Sequence, residues 1–134
     1  MNQLAAISQV TVGPQIECPV TDHFAPGVYC REVFMPAGAF VVGHVHKTAH
    51  LNILLSGKLR VYMSGAIHEL SAPFVFRSGV GVQKIGFILE DCTWLTVHPT
   101  DKTDVEEIYR EIIDAEAVGV LGEQAMKALT ERIK

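Results

Sequence analysis

Along the middle of the chain, apolar and polar residues alternate in short runs, and each run closes at a turn signal. "VYCREVFM" (28–35) ends at "PAGA", and "FVVGHVH" (40–46) is followed by "HLNILLS" (50–56). "KLRVYM" (58–63) meets "AIHEL" (66–70) through Ser64-Gly65, and "FVFR" (74–77) precedes "SGVG". "VQKIGFIL" (82–89) and "CTWLTVH" (92–98) flank Glu90-Asp91. Short strands with turns this frequent predict an all-β sandwich or barrel. Beyond residue 100 the period changes. Thr103-Asp104-Val105-Glu106 has the spacing of a capping box, and Val105, Ile108, Ile112 and Ala115 follow at helical intervals. Glu106, Glu107, Arg110 and Glu111 read as the solvated face of that helix. A second helix is predicted over 122–132, with Ala125, Met126 and Leu129 on one side. Pro14, Pro19 and Pro26 interrupt regular structure at the start. The chain thus divides into an irregular segment (1–26), a β-barrel (27–100) and a C-terminal helical extension (101–134).

Composition narrows the function classes. The 134 residues are 49% apolar and 19% charged, which suits one domain around one core. The net charge is −4 and no basic stripe is present, so a nucleic-acid partner is not expected. No apolar run approaches the length of a membrane span, and "MNQLAAISQV" lacks the features of a signal peptide. Cys18, Cys30 and Cys92 have no metal-type spacing and read as reduced thiols, which points to the cytoplasm. No nucleophile elbow, phosphate loop or dinucleotide fingerprint occurs.

The unusual feature is "GAFVVGHVHKTAHLNILLSG" (38–57), which places three histidines within seven residues. On a strand over 40–46, Phe40, Val42, His44 and His46 share one face. "KTA" is long enough to turn the chain and return His50 beside His46. Three neutral imidazoles hold a divalent ion and leave coordination positions open for water, oxygen or substrate. The competing reading is a solvated loop whose histidines serve no common purpose.

Gly38-x5-His44-x-His46-x3-His50-x6-Gly57 resembles the first motif of the cupins, with His50 standing where that family usually has a metal-binding glutamate. The resemblance covers roughly residues 27–98. It implies a small double-stranded β-helix, or jelly-roll, barrel with C-terminal helices, and a metal such as Fe, Zn, Ni or Mn at His44, His46 and His50. The second cupin motif is degraded. Gly79-Val80-Gly81-Val82-Gln83-Lys84 replaces its second half, so Lys84 stands at the fourth ligand position. "HKTAHLN", "GVQKIGFILEDCTW" and "TVHPTDKTD" also resemble small single-domain cupin-like proteins of tailed bacteriophages and bacteria. That likeness extends the expected location to a host cytoplasm.

His98 is a candidate replacement for the missing ligand. If the strands around Glu90-Asp91 form a hairpin with a three-residue loop (90–92), Trp94, Thr96 and His98 share a side with Lys84. A two-residue loop would separate Lys84 from His98. Asn52 has the strand parity of His50 and is a candidate to orient a ligand or touch substrate. Arg60 and Tyr62 share a face and bind an anion if that face is inward, although Leu59, Val61 and Met63 make the better core side. Glu32 alternates with Val28, Cys30 and Phe34, which marks it as a candidate pocket acid or base. Lys84 is a second catalytic candidate and an anion anchor. His23 and His68 have no evident partners. Two functions follow as expectations. One is a metal-dependent protein acting on a small anionic molecule, with oxygenase, isomerase and lyase chemistries all open. The other is a non-catalytic module for ligand sequestration or self-assembly. Pairing as a homodimer is expected in either case.

Overall fold

In the computed structural model, residues 18–114 are described. The expected second helix (122–132) and Ala115 lie outside them. Seven strands precede one helix: β1 (Val20–Ala25), β2 (Val28–Met35), β3 (Phe40–Val42), β4 (His50–Met63), β5 (Ala66–Ser71), β6 (Phe74–Ser78), β7 (Ile85–Pro99) and α1 (Val105–Ile112). Every strand pairing is antiparallel.

Three sequence expectations change. The N-terminal segment is not irregular up to residue 26, because β1 runs along β2 from Val20↔Val33 to Ala25↔Val28. Pro19 and Pro26 flank this strand rather than interrupt it, and Gly27 (φ +79°) makes the turn. The runs on either side of Gly57 form one strand of 14 residues, and those on either side of Glu90-Asp91 form one of 15. Hence there is no hairpin at 90–92, with either loop length. The strand predicted over 40–46 stops at Val42. Beyond it, His46 bridges to Ile113, and the Asp114 amide donates to the Val45 carbonyl.

The two long strands build the barrel. The first half of β4 pairs with β6 and its second half with β5. The first half of β7 pairs with β3 and its second half with β2. β4 and β7 also pair with each other, and their register shifts between Leu54 and Leu59. Each long strand therefore passes from one layer, β1-β2-β7-β4-β6, into a second, β3-β7-β4-β5. Side chains of both layers line one cavity. The shift at Gly57 also changes which parity faces inward. His50, Asn52 and Leu54 are buried before it, and Leu59 and Val61 after it. Leu54, Leu59, Val61, Ile88, Cys92 and Trp94 form the main core with Val33 and Met35. On the outer face, Leu51, Leu55 and Val75 remain exposed.

Helix α1 lies across one end. Ile108 and Ile112 are buried beside Tyr29, while Glu106, Glu107, Arg110 and Glu111 face solvent. The N-cap is Asp104 rather than Thr103: its Oδ1 accepts the Glu106 amide at 2.9 Å. Replacing it by alanine strands that amide and is expected to cost about 1 kcal/mol, read from urea unfolding.

Candidate metal centre

His50, Asn52 and Leu54 alternate inward at the start of β4, and Trp94, Thr96 and His98 alternate inward at the end of β7. Cross-strand register aligns these sets with β2. Tyr29 sits opposite His98, Arg31 opposite Thr96, and Val33 opposite Trp94. Thr96 is in turn opposite Asn52, and Trp94 opposite Leu54. The inner surface is thus graded along the strands. It starts with an imidazole and phenol row, continues with a polar row of Arg31, Thr96 and Asn52, and ends with an apolar row of Val33, Trp94 and Leu54. Tyr29, His98, Arg31, Thr96, Asn52, Val33 and Trp94 of these rows line a cavity of about 220 Å³ with Leu59, Val61, Gly86 and Ile88 of the other layer.

Three histidines converge in the first row. Ring nitrogens of His46, His50 and His98 lie within 4.8 Å of one another. His46 and His50 stack with centroids 4.0 Å apart, and His98 stands 5.0 Å from His50 and 5.4 Å from His46. Tetrahedral ligation at the usual zinc–nitrogen length holds two imidazole nitrogens about 3.4 Å apart, so the cluster must contract to share one ion. The donor chemistry also fits. His50 Nδ1 lies 3.2 Å from the Thr48 carbonyl, which can only accept, so Nδ1 carries the proton and Nε2 presents a lone pair. The buried Nδ1 atoms of His46 and His98 have no hydrogen-bond partner among the described residues.

Electrostatics keep these rings neutral. Burial, reinforced by neighbouring His50, Lys84 and other ring groups, depresses the pKa of His46 to about 2. Burial followed by His50, Lys84 and Arg31 depresses that of His98 to about 4. His50 is also lowered, by burial and then Lys84. Neutral imidazole is the metal-binding form. Lys84 Nζ lies 3.4 Å from His50 Nε2, and burial lowers its pKa to about 8.

The remaining sequence candidates divide. His44 lines the cavity but does not join the ligand cluster. Because β3 ends at Val42, the His44 ring instead stands edge-on to Tyr109, 5.4 Å between centroids. His98 takes its place in the triad. Lys84 and His98 do not face each other across a hairpin. Lys84 immediately precedes β7 and His98 lies near its end, and both line the cavity. Asn52 is fully buried: its Nδ2 donates to Ser78 Oγ at 2.8 Å, and its Oδ1 has no partner among the described residues. Glu32 is not a pocket acid. It lies on the outer face of β2, 2.9 Å from His23, which thereby acquires a partner. Arg60 and Tyr62 do not reach the cavity, since Leu59 and Val61 occupy the inward parity. Tyr62 packs instead against Ile85 with Phe40, Val42 and Ile67. The three cysteines are free thiols.

Sequence reasoning missed Arg31, which lines the cavity from β2. The signal was its alternation with Tyr29, Val33 and Met35. It was obscured because Val28, Cys30 and Phe34 on the other parity are equally apolar.

No family model and no curated protein sequence matches the chain. Solved structures do. A cupin family protein with a double-stranded β-helix fold from Methanocaldococcus jannaschii superposes with a TM-score of 0.54 at 11% identity, over 63% of this chain and 82% of that one. A cupin superfamily protein from Desulfitobacterium hafniense gives 0.56 at 11% identity, over 66% and 83%. Salicylate 1,2-dioxygenase from Pseudoaminobacter salicylatoxidans, with gentisate, gives 0.59 at 13% identity over 78% of this chain, which spans only 31% of that enzyme. No helix among the described residues is long and apolar enough to cross a membrane. Two long strands shared between facing layers, a histidine cluster between those layers, and these structural neighbours lead to one conclusion: the chain has the double-stranded β-helix fold of the cupins.

Proposed function

We propose that this chain binds one divalent transition metal through His46, His50 and His98 and holds a small anionic molecule beside it. The observation that carries this reading is the convergence of three neutral imidazoles, two of them buried and His46 partly so, at one end of a cavity. A bound ion of this kind supplies Lewis-acid polarisation of a substrate oxygen. The chain's own residues do the rest. Thr48 fixes the His50 tautomer through its carbonyl, Asn52 offers an unpartnered acceptor, and Lys84 offers a cationic donor at the edge of the cluster. Iron, zinc, nickel and manganese all suit nitrogen donors, and availability decides among them.

The test is elemental analysis after reconstitution and desalting. Wild-type protein is expected to retain about one ion per chain, and His46→Ala to lose at least tenfold in affinity. Metal-free wild-type protein under these conditions would overturn the reading. One observation favours a second function, a metal-free module that sequesters an anion. The Lys84 ammonium already donates toward the lone pair of His50, and a cation so placed repels a divalent ion. That module would bind its ligand equally in the presence and absence of a chelator.

A further inference from the structure

Arg31 extends from β2 into the cavity, half-buried, in the row between the histidines and the apolar floor. It has no hydrogen bond or ion pair among the described residues. No aspartate or glutamate lines the cavity. Asp22, opposite Arg31 on β1, accepts the Tyr29 hydroxyl instead of pairing with Arg31, so the permanently charged guanidinium faces the cavity with no carboxylate bound to it. Partly buried cations are ordinarily paired, so this one points to a ligand that brings the negative charge with it.

The rest of the cavity restricts that ligand. Beyond Arg31 the walls are Val33, Trp94, Leu59, Val61 and Ile88, with no further fixed charge. A volume of about 220 Å³ equals roughly seven liquid waters, or about ten non-hydrogen atoms at the closer packing of a protein interior. A planar carboxylate matches the guanidinium fork with two parallel hydrogen bonds. We propose that the cavity selects a small monocarboxylate, with the anion on Arg31 and an apolar body against Trp94, Leu59 and Val61. This rests on the reading of the cavity as a ligand site beside the histidine cluster, and it makes Arg31 the residue that sets specificity.

The experiment is calorimetric titration of purified full-length protein, metal-loaded and metal-stripped, with benzoate and hexanoate against their neutral amides, benzamide and hexanamide. Wild-type protein is expected to bind each acid at least tenfold more tightly than its amide. Arg31→Gln is expected to abolish that preference while leaving metal content unchanged. Arg31→Lys is expected to keep part of it, because the charge remains and the fork does not. Equal binding of acid and amide by wild-type protein overturns the proposal without recourse to any variant, as does an undiminished preference in folded Arg31→Gln. An acid preference lost with Arg31 in protein that retains no metal upholds the carboxylate site and removes the metal reading. Metal retention without acid preference does the reverse.

Discussion

Gly57→Ala is expected to destabilise the protein by about 2–6 kcal/mol, a large part of the ~5–15 kcal/mol typical of a domain. Two costs combine. Gly57 has φ +91°, where a side chain is strained by roughly 1–3 kcal/mol. A Cβ at this position would also lie 2.1 Å from the Asp91 carbonyl oxygen and 2.8 Å from Cys92 Sγ. The oxygen belongs to the backbone of β7, so relief requires the two long strands to separate at the point where both change layers. Forcing extra volume into a packed site typically costs about 1–3 kcal/mol more. Gly65→Ala is the control. Gly65 has φ +79°, but nothing lies within 4 Å of its added carbon, so only the conformational cost of roughly 1–2 kcal/mol applies. Urea unfolding of both variants separates the contributions, and equal losses would show that the approach of Asp91 does not matter.

Metal-stripped protein is expected to lose roughly 3 kcal/mol of stability between about pH 6.5 and pH 4. His98 is 1% exposed, and its folded pKa of about 4 lies below the ordinary value of 6.5. On acidification the unfolded chain binds the proton first. The stabilisation is complete above pH 6.5 and drains away as pH falls to the folded value. His46, lowered to about 2, adds a loss of its own over the same window and continues it below pH 4, so the roughly 3 kcal/mol from His98 is a lower bound. Saturating metal competes with those protons and moves the acid limb to lower pH. Melting temperatures from pH 7 to pH 4, with chelator and with metal, check both statements. A flat profile in chelator would mean that the rings are not held neutral by burial.

These two expectations involve residues that were unequally visible in the sequence. Spacing marked Gly57, His46 and His50, while His98 was reached through a hairpin that does not form, and alternation identified both inward sets of β4, even-numbered before Gly57 and odd-numbered after it. What alternation cannot distinguish is a bulge from a turn. A glycine with positive φ serves either, so β4 reads as two strands. Glu90-Asp91 misleads for a related reason, because both side chains are exposed in the middle of a continuous strand. Arg31 and Glu32 were exchanged because β2 carries apolar residues on both faces, leaving no contrast to decide which charge points inward. His44 was misplaced because hydrogen bonds from a distant segment, at Ile113 and Asp114, redirect the backbone of 43–46. Local pattern contains no trace of such a partner.

The position of β7 bears on how the molecule is made. It is the last strand among the described residues, yet β2, β3 and β4 all pair with it. During translation, roughly the first eighty residues leave the ribosome with the inner edges of those strands unsatisfied. The third imidazole, His98, arrives only with the closing strand. On the proposed metal reading, a nascent chain lacks the complete triad until that strand is made. Closure must come first, and a ribosome-arrested fragment ending before residue 98 should be recognised by chaperones rather than by metal.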